Sequence, residues 1–563
     1  MECDRNTLRE LALSIADHPP SDFNLILQFF VSSSRSDIHR KKLPVSPFLN
    51  YLSSLSEACN DEKTDSNILV CTVLKILRNL CAGEIKNQTS FVYDGGLEIT
   101  ASLAKQLIFQ CSRNPSIERN SFCEGSDVCQ MILQLLGNVC LAGEEQQSAI
   151  WRAFFPHIFA GFASIQNAKI YEPLCMVICT CCKNSQGRLK EICGNDGYPI
   201  FAGLLSTSQK VRIEANWLEL LLTKICYVEP YFVHLFTGLS SLEVSSARVG
   251  DGREIFCLEQ ALLLYVIANF ATHQMEEFSL LVNSKECKSV VREFVTFIVE
   301  IVRKSEGSID FRSVNPPTLP TGLPAIDVLG YSLNILRDIC ASEDFPSSSA
   351  DIHQNQENGK EYVGNSLVSS DLIQLMIDLL RELGPPEAVK KATRQASTGS
   401  SNPCSTALNQ SKEMTDGSPS KIMRSTVADM CEDPSLLHDG DKDRAVHASQ
   451  TGVVCPYKGY RRDIVSVLAN ASFRRKHVQD QIRECGGLFI ILQHCVVDNE
   501  NPFLREWGLW AVRNLLENNR ENQKQVAELE LQNSVNTSAI AEMGLRVEID
   551  PNSRKPRLFN LAT

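Results

Sequence analysis

Five cysteines, Cys175, Cys179, Cys181, Cys182 and Cys193, stand close together in this chain, and a set of thiolates is what a structural zinc ion takes as ligands. Cys179 and Cys182 even have the two-residue gap of a zinc knuckle. A knuckle, however, carries its thiols on a turn, whereas Leu174-Cys175-Met176-Val177-Ile178 reads as helix, on which positions 175, 179 and 182 form one apolar stripe. The expectation is core packing and no metal site, with zinc binding as the rival. The chain carries no Gly-x-x-x-x-Gly-Lys-Ser/Thr phosphate loop, no His-Glu-x-x-His, no Gly-x-Ser-x-Gly elbow and no kinase signature set. We therefore expect no catalytic residues, no cofactor and a protein that is not an enzyme.

Asparagine is the next residue type to recur. Apolar helices close on it at Leu77-Arg78-Asn79, Leu136-Gly137-Asn138, Ile267-Ala268-Asn269, Leu468-Ala469-Asn470 and Val512-Arg513-Asn514, with Asp338 in the same place after Leu336-Arg337 and a degenerate copy at Asn184. One side-chain amide both donates and accepts, so a row of them can clamp an extended peptide by its backbone. The same amides can instead cap turns and satisfy backbone groups of their own repeat. Both readings stand, and they make Asn79, Asn138, Asn269, Asn470 and Asn514 candidate partner-binding residues. Receptors of the nuclear-import type add a Trp four residues before the Asn. Trp510 and Asn514 have that pairing, whereas Lys75, Gln134 and Ser466 take the place in other copies.

A third pattern is a local reversal of charge. The chain has 55 basic and 67 acidic side chains, a formal charge of −12, which argues against a general binder of nucleic acid or anionic membrane. Yet Arg461, Arg462, Arg474, Arg475 and Lys476 cluster, with Lys458 and His477 beside them. Such a cluster would dock an acidic partner, less readily a phosphoinositide or RNA, or else form a solvated face.

All of these residues need a framework that repeats. Between the Asn markers a short polar helix ends in glycine and opens a new apolar helix, as at Tyr93-Asp94-Gly95-Gly96-Leu97, Cys193-Gly194-Asn195-Asp196-Gly197 and Glu484-Cys485-Gly486-Gly487-Leu488. The glycines suit a helix stop with positive φ. The unit is thus short helix, Gly turn, middle helix, polar turn, long helix. Asn470 and Asn514 stand 44 residues apart, within the period of about 40–47 residues of armadillo and HEAT arrays, where no unit buries its apolar face alone.

The fold expected is therefore all-α, an armadillo/HEAT-like α-solenoid interrupted by a disordered insertion. Residues 1–341 read as helical repeats, 342–366 as a polar linker, 367–383 as one docked helix, and 384–454 as disordered because they hold too few apolar residues to offset chain entropy. Residues 455–530 resume the repeats and 531–563 form a tail. With 43% hydrophobic residues the chain can build its core without disulfides, and its 22 cysteines are scattered through apolar runs as reduced, buried thiols. No stretch approaches the length of a membrane span and no signal peptide opens the chain.

One block carries a family likeness. Tyr457-Lys458-Gly459-Tyr460-Arg461-Arg462-Asp463 through about Pro551, above all Asp498-Asn499-Glu500-Asn501-Pro502-Phe503-Leu504-Arg505-Glu506-Trp507 and Val512-Arg513-Asn514-Leu515-Leu516-Glu517-Asn518-Asn519, resembles the ataxin-10 C-terminal domain. The ending Met543-Gly544-Leu545-Arg546-Val547-Glu548-Ile549-Asp550 is similar too. The resemblance implies an armadillo-like scaffold of the cytosol, perinuclear or centrosomal, without catalytic activity and associated with cell division, cytoskeletal regulation and signalling. Its partners would be proteins, and self-association stays open. Asp498, Asn501, Arg505 and Glu506 match the family motif. Arg505 and Glu506 join the candidate partner-binding residues, although the same segment also reads as a polar turn in which Asn501 caps a helix with Pro502 at its first position.

Overall fold

The computed structural model describes residues 20–58, 64–113, 119–211, 216–240, 255–273, 284, 287–306, 317–341, 371–398, 455–528, 545–549 and 556–560. Its spine is a row of long helices, each packed on the next: α1 (Pro20–Ser33), α2 (Thr64–Leu80), α3 (Arg119–Cys140), α4 (Ala168–Cys182), α5 (Asn216–Thr223), α6 (Leu258–His273), α7 (Pro324–Ala341), α8 (Tyr460–Ser472) and α9 (Leu504–Leu516). A second layer of middle helices, among them Ser46–Ala58, Gly96–Arg113, His157–Ser164 and Tyr198–Val211, runs behind it. Short helices such as Ile85–Tyr93, Glu144–Phe154 and Lys476–Glu484 link the layers. This is the three-helix unit expected, stacked into an α-solenoid.

Burial follows from the stacking. In α6 the run Ala261, Leu262, Leu263, Leu264 is buried without a break, as is Ile464 to Ala469 in α8. A helix covered on all sides loses its polar face, which is why these helices read as apolar runs rather than narrow stripes. The Gly turns divide into two kinds. Gly95 and Gly486 take φ of +83° and +72°, as a C′ stop requires. Gly197 instead lies so close to the backbone of Ile192 that a side chain would collide with it.

Within residues 367–383, the helix Leu372–Leu383 has Leu372, Ile373, Met376, Ile377 and Leu380 buried. It packs against α8 and the helices Lys476–Glu484 and Gly487–Gln493. One expectation needs correction. The segment expected to be disordered from 384 onward forms a helix over Glu387–Thr398. Its alanines, glutamate and lysines are good helix formers, and the helix follows Pro385-Pro386, so local propensity makes it without a buried face. The tail, for which no element was expected, adds a small hairpin to the all-α array, strand β1 (Leu545–Ile549) pairing antiparallel with β2 (Pro556–Asn560), Leu545 opposite Asn560. Residues 342–366, the polar linker, and 399–454, the rest of the insertion, lie outside the described residues.

Candidate partner-binding surface

The marker asparagines form a ladder between repeats. Asn138 Nδ2 donates to the carbonyl of Arg78 at 2.8 Å, Asn470 Nδ2 to Arg337 at 3.1 Å and Asn514 Nδ2 to Ala469 at 2.9 Å. Each acceptor is the residue just before the previous marker. Asn79, the first, donates to Ser34 Oγ at 3.1 Å and toward the Val31 carbonyl at 3.5 Å, both on or beside α1. The amides hold the preceding long helix, where a cap would have served their own repeat. Asn269 is half-buried on α6, and nearby Thr272 donates to Asp338 Oδ2 at 2.9 Å, tying α6 to α7.

A second ladder was missed from sequence. Nine residues after each of four markers stands a glutamine whose amide donates to the carbonyl two residues after that marker: Gln88 to Cys81 at 2.7 Å, Gln147 to Cys140 at 3.0 Å, Gln479 to Ser472 at 3.2 Å and Gln523 to Leu516 at 2.7 Å. Gln88 and Gln479 also reach forward to the carbonyls of Asn138 at 2.9 Å and Asn514 at 2.8 Å. The constant offset is the signal that would have found them. It also corrects a register. Arg188 Nε donates to Cys181 at 2.6 Å, which puts Arg188 in the glutamine place and Cys179 in the marker place. Asn184, read as a degenerate marker, is an exposed residue in the turn beyond.

The cysteine cluster is core. Cys175, Cys181, Cys182 and Cys193 are buried, and Cys181 Sγ lies 3.6 Å from Cys140 Sγ of the neighbouring repeat. Burial pushes the Cys193 thiol up to about 12 and Cys179 to about 11. Among the described residues no group of three or more His, Cys, Asp or Glu is placed to hold a metal ion.

The basic cluster does not form one surface. Arg461 is buried, its guanidinium donating to the carbonyls of Leu383 at 2.9 Å and Gly384 at 2.6 Å and meeting His494 Nε2 at 3.2 Å. It thereby satisfies the free C-terminal carbonyls of the Leu372–Leu383 helix. Arg475 is buried too, bonding the carbonyls of Asn470, Ala471 and, across the repeat boundary, Cys340. Arg462 pairs with Asp463 at 2.7 Å, and Lys476 with Asp480 at 2.9 Å. Arg474 lies over the Phe473 ring at 5.0 Å. Arginines placed to meet carbonyls across a repeat boundary cannot be told from surface arginines by composition.

His494, buried against Arg461, accordingly stays neutral: burial pulls its imidazole down to about 4. The turn before α9 differs from expectation. Asn501 is buried and accepts from the backbone of Arg461 at 2.9 Å, so it anchors the start of α8 rather than capping α9. Phe503, at φ +65°, precedes the helix, with Pro502 in the turn. Arg505 and Glu506 pair with each other at 3.1 Å. On α9, Arg513 stacks over Trp510 at 4.9 Å, Leu509 is exposed, and Asn514 is only 1% exposed. The Trp–Asn pair therefore offers an indole and a guanidinium to solvent, while the amide lies buried with its Nδ2 bonded to Ala469.

This stack of three-helix units with inter-repeat amide ladders defines an armadillo-type α-solenoid. Residues 460–558 match the family model described as the spinocerebellar ataxia type 10 protein domain. The chain carries a match to the C-terminal domain of the ataxin-10 proteins and is similar to ataxin-10 along most of its length. It is 39% identical over 95 residues to the ataxin-10 homolog of Dictyostelium discoideum, covering 17% of this chain and 16% of that protein. It is 33% identical over 113 residues to the Candida albicans homolog, or 20% and 24% of the two, so these matches span less than a quarter of either relative. Homo sapiens ataxin-10 aligns at 22% identity over 87% of this chain and 83% of its own length. A solved structure from work on a phosphorylation switch controlling the interaction between cadherin and beta-catenin covers 95% of this chain and 75% of its own, at 12% identity and a TM-score of 0.33.

Proposed function

We propose that the protein is a non-enzymatic scaffold that holds protein partners on the surface of a continuous solenoid. The observation that carries this reading is the join between α7 and α8. Asn470 and Arg475 bond the carbonyls of Arg337 and Cys340 from 133 and 135 residues away, so one extended surface runs from the first repeats into the ataxin-10-type block. Solenoids bind along such surfaces. The exposed Phe489, Val497, Phe503 and Leu509 of the C-terminal repeats are apolar side chains available for contact, and the Trp510–Arg513 stack is a pairing of residue types that recurs at interface centres. The family likeness supports roles in cell division, cytoskeletal regulation or signalling from the cytosol, with self-association as one mode. Neither the import-receptor alternative nor a zinc protein has comparable support, because Asn514 is buried with its Nδ2 on the Ala469 carbonyl and four of the five clustered thiols are buried.

The test is a proximity-labelling census with full-length chain and a Leu509→Glu/Trp510→Ala variant. Loss of a defined set of neighbours in the variant, at equal abundance, is the expected result. Identical sets would refute partner binding through this surface.

A further inference from the structure

Positive charge without a counter-charge gathers where α1, α2 and α3 meet. Arg78 stands directly before the marker Asn79, the place that Arg337 takes before Asp338. The two arginines differ in what they meet. Arg337 Nε lies 2.7 Å from Asp338 Oδ1, so the marker itself neutralises it. Arg78 meets neutral groups instead: Nη1 donates to Gln134 Oε1 of α3 at 2.6 Å, and Nη2 to Asn79 Oδ1 at 3.1 Å. Arg188, Arg462 and Arg483 each have a carboxylate at 2.7 Å. Burial, with the Arg35 charge added, draws the Arg78 guanidinium below its ordinary value, and no carboxylate offsets either effect.

Two more cations share this place. Lys75 is exposed on the same face of α2, one turn before Arg78, and its ammonium makes no hydrogen bond or ion pair among the described residues. Arg35 is exposed just beyond α1. It follows Ser34, whose hydroxyl receives the Asn79 amide at 3.1 Å, and its guanidinium is equally unengaged among the described residues. Asp127 of α3 is held by Lys169 at 2.6 Å. Two turns before Lys75, the same face of α2 presents Ile68, 57% exposed. Three cations left together repel one another, and a bound anion relieves that repulsion. Gln134 and Asn79 fix the fork of Arg78 beforehand, so little side-chain entropy is lost when an anion binds.

We propose that Arg35, Lys75 and Arg78 receive the carboxylates of an acidic, extended segment of a protein partner, with an apolar residue of that segment set on Ile68. The proposal rests on the scaffold reading and adds a second surface with the chemistry it selects. Carboxylates suit it better than a nucleic acid, because a chain of charge −12 repels a long phosphate backbone. It is tested with full-length protein and a fluorescein-labelled Gly/Ser peptide with the core Leu-Ser-Ser-Glu-Glu, whose Leu-to-Glu reach matches the rise from Ile68 to Lys75, about 10 Å. The counterpart carries Gln for Glu, and anisotropy is read at low salt, where exposed charges are least screened. The glutamate peptide should bind about tenfold or more tightly, a charge-assisted effect. Arg35→Glu/Lys75→Glu should abolish the preference with the thermal transition in place, and the charge-matched Arg520→Glu/Lys524→Glu should keep it. Should the first variant not melt cooperatively, Arg35→Gln/Lys75→Gln decides: a preference cut severalfold supports the surface, and an unchanged one overturns it. Equal binding of the two peptides by the unmodified chain overturns it as well. So does an equal loss in the charge-matched variant, which would assign the effect to net charge, or tighter binding of a labelled uridine oligonucleotide, the mark of a polyanion surface. If the neighbours that depend on Leu509 and Trp510 persist in those cases, the scaffold reading stands and only this surface falls.

Discussion

Asn514 and Ala469 are joined by a 2.9 Å bond from side-chain amide to backbone carbonyl, across 45 residues of sequence and one repeat of structure. Asn138 with Arg78, and Asn470 with Arg337, stand in the same relation. Since every rung falls at the same place in the unit, the ladder belongs to the interfaces between neighbours, where the stability of a repeat array resides.

Asn514→Ala removes one of two donors to the Ala469 carbonyl, which keeps the Ser472 hydroxyl at 3.0 Å. A loss of about 0.5–1.5 kcal/mol is expected, read from urea unfolding of the full chain. A change within error would show that the rung contributes nothing.

Gln479 shares this interface, because it donates to the carbonyl of Asn514 as well as that of Ser472. Gln479→Ala and Asn514→Ala should therefore be non-additive, with a coupling of about 0.5–3 kcal/mol in a double-mutant cycle. Strict additivity would mean that the two ladders act independently.

The ladders show what a sequence discloses and what it withholds. The markers at Asn79, Asn138, Asn470 and Asn514 were legible because each closes an apolar run. The marker place at Cys179 was not, since a cysteine there looks like one more core residue, and Asn184 five positions on drew the eye. The partners of Arg461 and Arg475 are backbone carbonyls, which every residue has, so no side-chain pattern announced them. The Glu387–Thr398 helix rests on propensity, and a search for apolar periodicity passes over it. The alternation Leu545-Arg546-Val547-Glu548-Ile549 does carry the period of two that marks a strand, but five residues are little to set against an otherwise helical chain.

Residues 455–563 expressed alone should not give a sharp cooperative transition, because α8 would lose α7 and the buried Arg475 would lose the Cys340 carbonyl. Within the full chain, Arg475→Ala should cost about 2–3 kcal/mol, the range for hydrogen bonds to a charged group. A soluble fragment with a steep thermal melt would instead make the block self-sufficient.

His494 makes stability depend on pH. Its imidazole is held near 4 in the folded chain against about 6.5 when unfolded, so between those values the unfolded state binds the extra proton. The contribution is whole above about pH 6.5 and is lost as pH falls toward 4, by about 3 kcal/mol at most. His494→Gln, which keeps an acceptor for Arg461, should flatten that part of the profile. Chemical denaturation at stepped pH reads both, and an equally steep loss in the variant would assign the effect to other groups.

Cys175, Cys181, Cys182 and Cys193 should resist iodoacetamide in the native protein and react once it is denatured, because buried thiols are out of the reagent's reach. Mass spectrometry locates the adducts. Rapid native labelling at Cys193, or loss of helicity on adding a zinc chelator, would contradict the core assignment.

The join between α7 and α8 also sets a schedule for synthesis. Arg337 leaves the ribosome 133 residues ahead of Asn470, and at about 5–20 residues per second that interval is roughly 7–27 seconds. For all of that time the face of α7 that α8 will cover has no native neighbour. Chaperone demand during translation should therefore peak after α7 emerges and end when α8 does, a profile that ribosome-bound chaperone footprints would record.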